Sequence, residues 1–77
     1  MNKERRKEIA RALAMVEEAK SILEICRDEE QDYFDNMPES FQGGDKGDVA
    51  QTAIDALDEA VSNLDDVVSA VGDVANA

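Results

Sequence analysis

Histidine and tryptophan are absent from the 77 residues, cysteine and proline occur once each, and the aromatics are limited to Tyr33, Phe34 and Phe41. Each shortage removes a class of function. Without histidine there is no Ser-His or Cys-His nucleophile pair and no Glu-x-x-His di-iron ligand set. Cys26 alone cannot close an intramolecular disulfide. No apolar run approaches about 18 residues and no signal-peptide core follows the charged start, so the chain reads as soluble, intracellular and cytoplasmic, with no membrane span. Cations are scarce too: eight Lys and Arg stand against nineteen Asp and Glu, for a net charge of −11 and a pI near 4.1. That balance repels nucleic acid and anionic membranes. No strand pattern precedes a glycine-rich phosphate loop. The expectation is a non-enzymatic chain with no catalytic residue, no cofactor and no metal.

Charge is distributed unevenly. Residues 1–11 hold Lys3, Arg5, Arg6, Lys7 and Arg11 against Glu4 and Glu8, a net of +3, which leaves −14 on the other 66 residues. The two glutamates and the continuity with a helical pattern make this segment the start of a first helix rather than a nucleic-acid arm or transit peptide. From Lys3 to about Asp35 there is no glycine or proline, and Ile9, Ala12, Val16, Ala19, Leu23 and Cys26 recur at spacings of three and four. Leu13, Met15 and Ile22 widen this arc to roughly half the circumference, enough for two neighbours. Cys26 lies on the arc and reads as a small buried hydrophobe. Pro38 ends the helix.

A second helix is expected from near Asp48, whose side chain and Gln51 form a capping-box pattern, with Asp45 as the competing start. Ala50, Ala53, Leu57, Ala60, Leu64, Val67, Val71 and Val74 then keep the three-four repeat, widened by Ile54, Val61 and Val68. The fold class is therefore all-α, with residues 1–77 as one two-helix antiparallel hairpin: helix about 3–35, ordered loop about 36–47, helix about 48–75. In that arrangement the basic N-terminus would meet Asp65, Asp66 and Asp73 near the far end of the second helix. A lone hairpin leaves each wide stripe half wet, so self-association into a four-helix bundle or higher oligomer is expected, a homodimer first, through Met15, Ile22, Ile54, Val61 and Val68.

Among the glutamates only Glu29 is followed three residues later by a second carboxylate, Asp32, the one-turn pairing that helical nucleotide pyrophosphohydrolases use to hold magnesium. One pair is not a metal cage. The stretch "DNMPESFQGGDKGD", residues 35–48, does not keep the order of a calcium loop either. Its residues predict an ordered bend. Pro38 suits the first position of a helical turn, Glu39 its positive end, and Gly43 or Gly44 a left-handed closure. Tyr33, Phe34, Met37 and Phe41 can cap the end of the bundle or, with Glu39, form a recognition tip. The surrounding carboxylates form either a solvated acidic surface or a mimic of a phosphate backbone for a basic protein groove.

Asp35 to Gln42, an Asp-Asn-x-Pro-Glu-Ser-aromatic-Gln stretch between an acidic helix and the "AIDALDEAVSNLDDVV" helix, resembles small acidic proteins of bacteriophages and prophages. The resemblance covers about residues 24–71. The departure is "GGDKGD", where those proteins tend to have a serine-capped helix start. The resemblance implies a phage accessory setting without an assigned activity, and hence three roles. The first is binding and blocking a host protein, for example a defence effector or polymerase component, through the acidic face or loop. The second is an oligomeric sponge for a cyclic-nucleotide or ADP-ribose-type signal, with Arg5, Arg6, Lys7, Arg11 and Lys46 as anion ligands. The third is a structural or assembly factor. The charge places the host protein ahead of the nucleotide.

Overall fold

A computed structural model of the protein describes residues 1–76, which are all-helical; residue 77 of the single-domain expectation lies outside the described residues. Helix α1 spans Lys3–Asp35, α2 is the single turn Glu39–Gln42, and α3 spans Asp45–Ala75. Asn2 starts α1: its backbone is extended and its Oδ1 accepts from the Arg5 amide at 2.7 Å, satisfying one of the free donors of the first turn. Asn36 ends the helix, with its amide and its Nδ2 both donating to the Asp32 carbonyl, at 3.0 and 2.8 Å.

The two long helices lie against one another, and their contacts run in opposite residue order. Arg27 of α1 reaches Asp58 of α3 at 3.0 Å, and Lys20, one heptad earlier, reaches Asp65, one heptad later. The core is thin. Ala50, Ile54 and Val61 of α3 are buried, whereas no residue of α1 is fully buried. The α1 side of the contact is the row Ile9, Leu13, Val16, Lys20, Leu23 and Arg27, half-buried throughout. Lys20 and Arg27 lay their aliphatic stems along the seam and send their charges to its edge.

Several expectations are corrected by this register. Ile54 and Val61, expected to serve self-association, fill the contact within the chain and are unavailable to a second copy. Cys26, expected to be buried, is exposed, because the seam passes through Leu23 and Arg27 and leaves Cys26 about a quarter-turn away. The N-terminal cations do not meet Asp65, Asp66 and Asp73. Asp65 pairs with Lys20 in mid-helix, so the first turns of α1 project past the end of α3, and Arg11 pairs with Glu8 on its own helix at 3.2 Å.

The start of α3 falls at the competing position rather than near Asp48. The helix begins at Asp45, three residues ahead of Asp48, with Gly44 as its N-cap and no side-chain cap. The Asp48 amide already donates to the Gly44 carbonyl at 2.9 Å, and Gln51 Nε2 donates to Asp55, so the capping box does not form. The extra turn places Asp45 and Asp48 at the positive end of the helix dipole and lets Gly47 and Ala50 become buried.

Candidate functional site

The bend is an ordered object built from backbone bonds. Pro38 precedes α2 as its N-cap, one position earlier than the sequence suggests, and its carbonyl accepts from Phe41 and Gln42 amides at 2.8 and 3.1 Å. Neither Gly43 nor Gly44 is left-handed; among the described residues no glycine has a positive φ. The glycine that matters is Gly47. A Cβ there would collide with the carbonyl of Gln42 and would stand 2.7 Å from that of Phe41. Its bare Cα is what lets the first turn of α3 press against the backbone of α2.

Gln42, absent from the sequence-based site, fastens the turn to α1 by donating from Nε2 to the Phe34 carbonyl at 3.0 Å. Gln42→Ala is expected to cost about 1 kcal/mol, the usual net value of one such bond. The readout is faster amide exchange across residues 39–44 and a drop of a few degrees in Tm. Unchanged exchange there would mean that the side chain does not hold the bend.

The residues expected at the tip divide. Phe34 and Met37 turn inward and are half-buried, whereas Tyr33, Glu39 and Phe41 remain exposed. Lys46 Nζ stands 5.4 Å from the centre of the Phe41 ring, a cation-π distance. Beside it is an open cavity of about 260 Å³ lined by Glu30, Tyr33, Asp45, Lys46, Val49 and Ala50. Lys46 thus sits at the opposite end of α1 from Arg5, Arg6, Lys7 and Arg11, roughly 40 Å or more away at 1.5 Å per residue. The five anion-ligand candidates do not come together within one chain.

Along the rod, the helix pair has two unlike faces. On one side Glu17, Glu24 and Asp28 of α1 flank Asp55, Asp58 and Asp65 of α3, and Lys20 and Arg27 bridge between them. The Lys20 ammonium is pushed above its ordinary pKa, first by its hydrogen bond to Asp65, against an opposing desolvation; Arg27 is raised first by Asp28 and then, likewise against desolvation, by Asp58. Both cations are committed to this acidic side.

The other side carries no charge over most of its length. On α1 it is the row Ala12, Met15, Ala19, Ile22 and Cys26; on α3 the row from Val49 to Val74 at three-four spacing consists of valine, alanine and the single polar Asn63. Each row lies about a quarter-turn from its helix's contact seam in the same rotational sense. Because the chains run oppositely, both rows open on one side. Tyr33 and Val49, which lie on these rows, accordingly line the same cavity. Met15, Ile22 and Val49 are 56%, 53% and 71% exposed, well above what a closed core leaves to water.

Among the described residues no group of three or more Cys, Asp or Glu side chains is placed to hold a metal ion. No described helix is long and apolar enough to cross a membrane. No protein-family model, curated protein or solved structure matches the chain.

Proposed function

We propose that this chain is a non-enzymatic binding protein whose protomer, a two-helix antiparallel hairpin, self-associates into a four-helix bundle and presents its acidic faces to a basic surface of another protein. The observation that carries this reading is the segregation of charge. Carboxylates occupy one face, where the two cross-helix cations are already engaged, and the opposite face is uncharged over most of its length, up to the charged residues around the bend. Six carboxylates stand on the acidic face against the two cations, with Glu17 and Asp55 outside the ion pairs, and the net negative charge left on a stiff helix pair steers and binds a basic partner through long-range attraction. The exposed Glu39 and Phe41 extend that surface onto the bend, and Tyr33, at the end of the uncharged face, adds aromatic area of the kind that anchors interfaces. In a phage setting the partner is a host protein that the acidic surface blocks, including a defence effector. An assembly factor sheathing a basic virion protein would use the same face. A nucleotide sponge is less well supported, because Lys46 is held against Phe41 and lies far from the N-terminal cations.

The test is affinity capture from host lysate followed by reconstitution with the purified captured protein. Binding is expected to weaken steeply with added salt, as screening shortens the reach of surface charge. The neutralised variant Glu17→Gln/Asp55→Asn/Asp73→Asn is expected to lose about tenfold or more in affinity, mostly through the association rate. Binding indifferent to both salt and neutralisation would overturn the acidic-face reading.

A further inference from the structure

We propose that the uncharged face binds a second copy of this chain end for end, so that α1 stacks on the partner's α1, α3 stacks on the partner's α3, and the basic N-terminal turns of each copy lie over the acidic bend of the other. This rests on the self-association stated above and adds the surface and the orientation.

Size is the first support. In the register set out below, α3 overlaps its mate from about residue 57 to Val74, about 26 Å at 1.5 Å per residue, and two helices are about 20 Å wide. That gives roughly 500 Å² on each copy, or about 1,000 Å² in total, the size at which specific interfaces begin. The alanines of α3 permit close approach, while Met15 and Ile22 of α1 supply bulk. An apolar, uncharged surface of this extent matches itself better than it matches the acidic exterior of the same protein.

Charge fixes the direction. Residues 27–48 hold eight carboxylates against Arg27 and Lys46, a net of −6, whereas residues 1–11 hold a net of +3. Copies aligned with their bends together would place two strongly acidic ends side by side. Reversal puts each acidic bend against a cationic turn. The outer border of the apolar face on α1 repeats the pattern residue by residue: Lys7 and Arg11 near one end, Glu29 and Asp32 near the other. Where α1 crosses its mate near Ala19 and Lys20, one register sets Lys7 opposite the partner's Asp32 and Arg11 opposite the partner's Glu29, twice by symmetry. With the bends together, α1 would instead lie on the partner's α3, and Glu18 would stand level with the partner's Asp66. Opposed like charges of that kind select against the arrangement.

Two measurements separate the surface from the orientation. Sedimentation equilibrium on the wild type is expected to show a dimer, with a dissociation constant raised about a hundredfold by Ile22→Asp, which puts a charge in the face. In a Cys26→Ala background, spin labels on Ser40→Cys at the exposed bend are expected to lie a distance apart comparable to the 58 Å length of the chain. A wild-type monomer at high micromolar concentration, with a Tm independent of concentration, would remove the self-association reading and leave the face to a different protein. A dimer indifferent to Ile22→Asp would remove this surface alone. A dimer with Ser40 labels within about 25 Å of each other, two helix diameters, would overturn the end-for-end orientation and leave self-association standing.

Discussion

Gly47→Val is expected to lower Tm by more than about 10 °C, corresponding to roughly 3 kcal/mol in a domain of this size. Gly47 lies in the first turn of α3, where a Cβ would meet the carbonyls of Gln42 and Phe41 rather than the mobile end of a side chain. No rotamer relieves a clash with backbone. Either α2 leaves α3 or the first turn of α3 unwinds, and Ala50 next to it loses its cover. Overpacking of this kind costs about 1–3 kcal/mol or more, and a β-branched residue adds its own helical penalty. Gly47→Ala should cost less, because alanine recovers about 1 kcal/mol of helix propensity that glycine forfeits. Gly72 supplies the control. Nothing stands within 4 Å of a Cβ there, so Gly72→Ala should stabilise by about 0.5–1 kcal/mol. Thermal unfolding of the three variants decides the matter: a Gly47→Val protein as stable as wild type would mean that α2 is not packed on α3.

The second large effect is expected at Ile54. It is 6% exposed in the centre of a core with few other buried side chains, and truncation to alanine removes methyl groups that α1 cannot follow inward. Such substitutions cost about 2–5 kcal/mol. A small single-core domain has a total stability of only a few kcal/mol, so Ile54→Ala should be largely unfolded well below the wild-type urea midpoint. Ile54→Val should lose only about 0.5–1.5 kcal/mol. The urea midpoint is the readout, with unchanged slope indicating that the same surface is exposed on unfolding. A loss below about 0.5 kcal/mol for Ile54→Ala, typical of surface sites, would contradict its place in the core.

Helix content was legible in the three-four spacing of apolar residues and in the gap they leave around Pro38. What the spacing could not decide was which side of each helix meets the other. On α1, apolar residues alone favour Ala12, Ala19 and Cys26 over the positions held by Lys20 and Arg27, yet the observed seam uses the two cations, because long stems bury while their charges reach Asp65 and Asp58. The apolar stripe on α3 likewise straddles two rows, one facing α1 and one open. Ile54 and Val61 therefore changed roles, from an expected outer surface to the inner one. In the bend, the punctuation by Pro38 and paired glycines was visible, but the tightest approach was not. Gly47 lies inside a helical run, where glycine reads only as a weak helix former, and its reason is a backbone neighbour five residues earlier. Gln42 gave no signal either, since its partner is a main-chain oxygen on another helix.

The extents of 58 × 14 × 13 Å also bear on how the protein behaves in solution. Its radius of gyration is 17.3 Å, whereas a compact chain of this length would have about 11.5 Å. A rod tumbles and diffuses more slowly than a sphere of equal mass. On a gel-filtration column calibrated with globular standards, even a single copy will therefore elute ahead of its true mass. Mass-sensitive detection by light scattering, rather than retention volume, is what can distinguish one elongated chain from two.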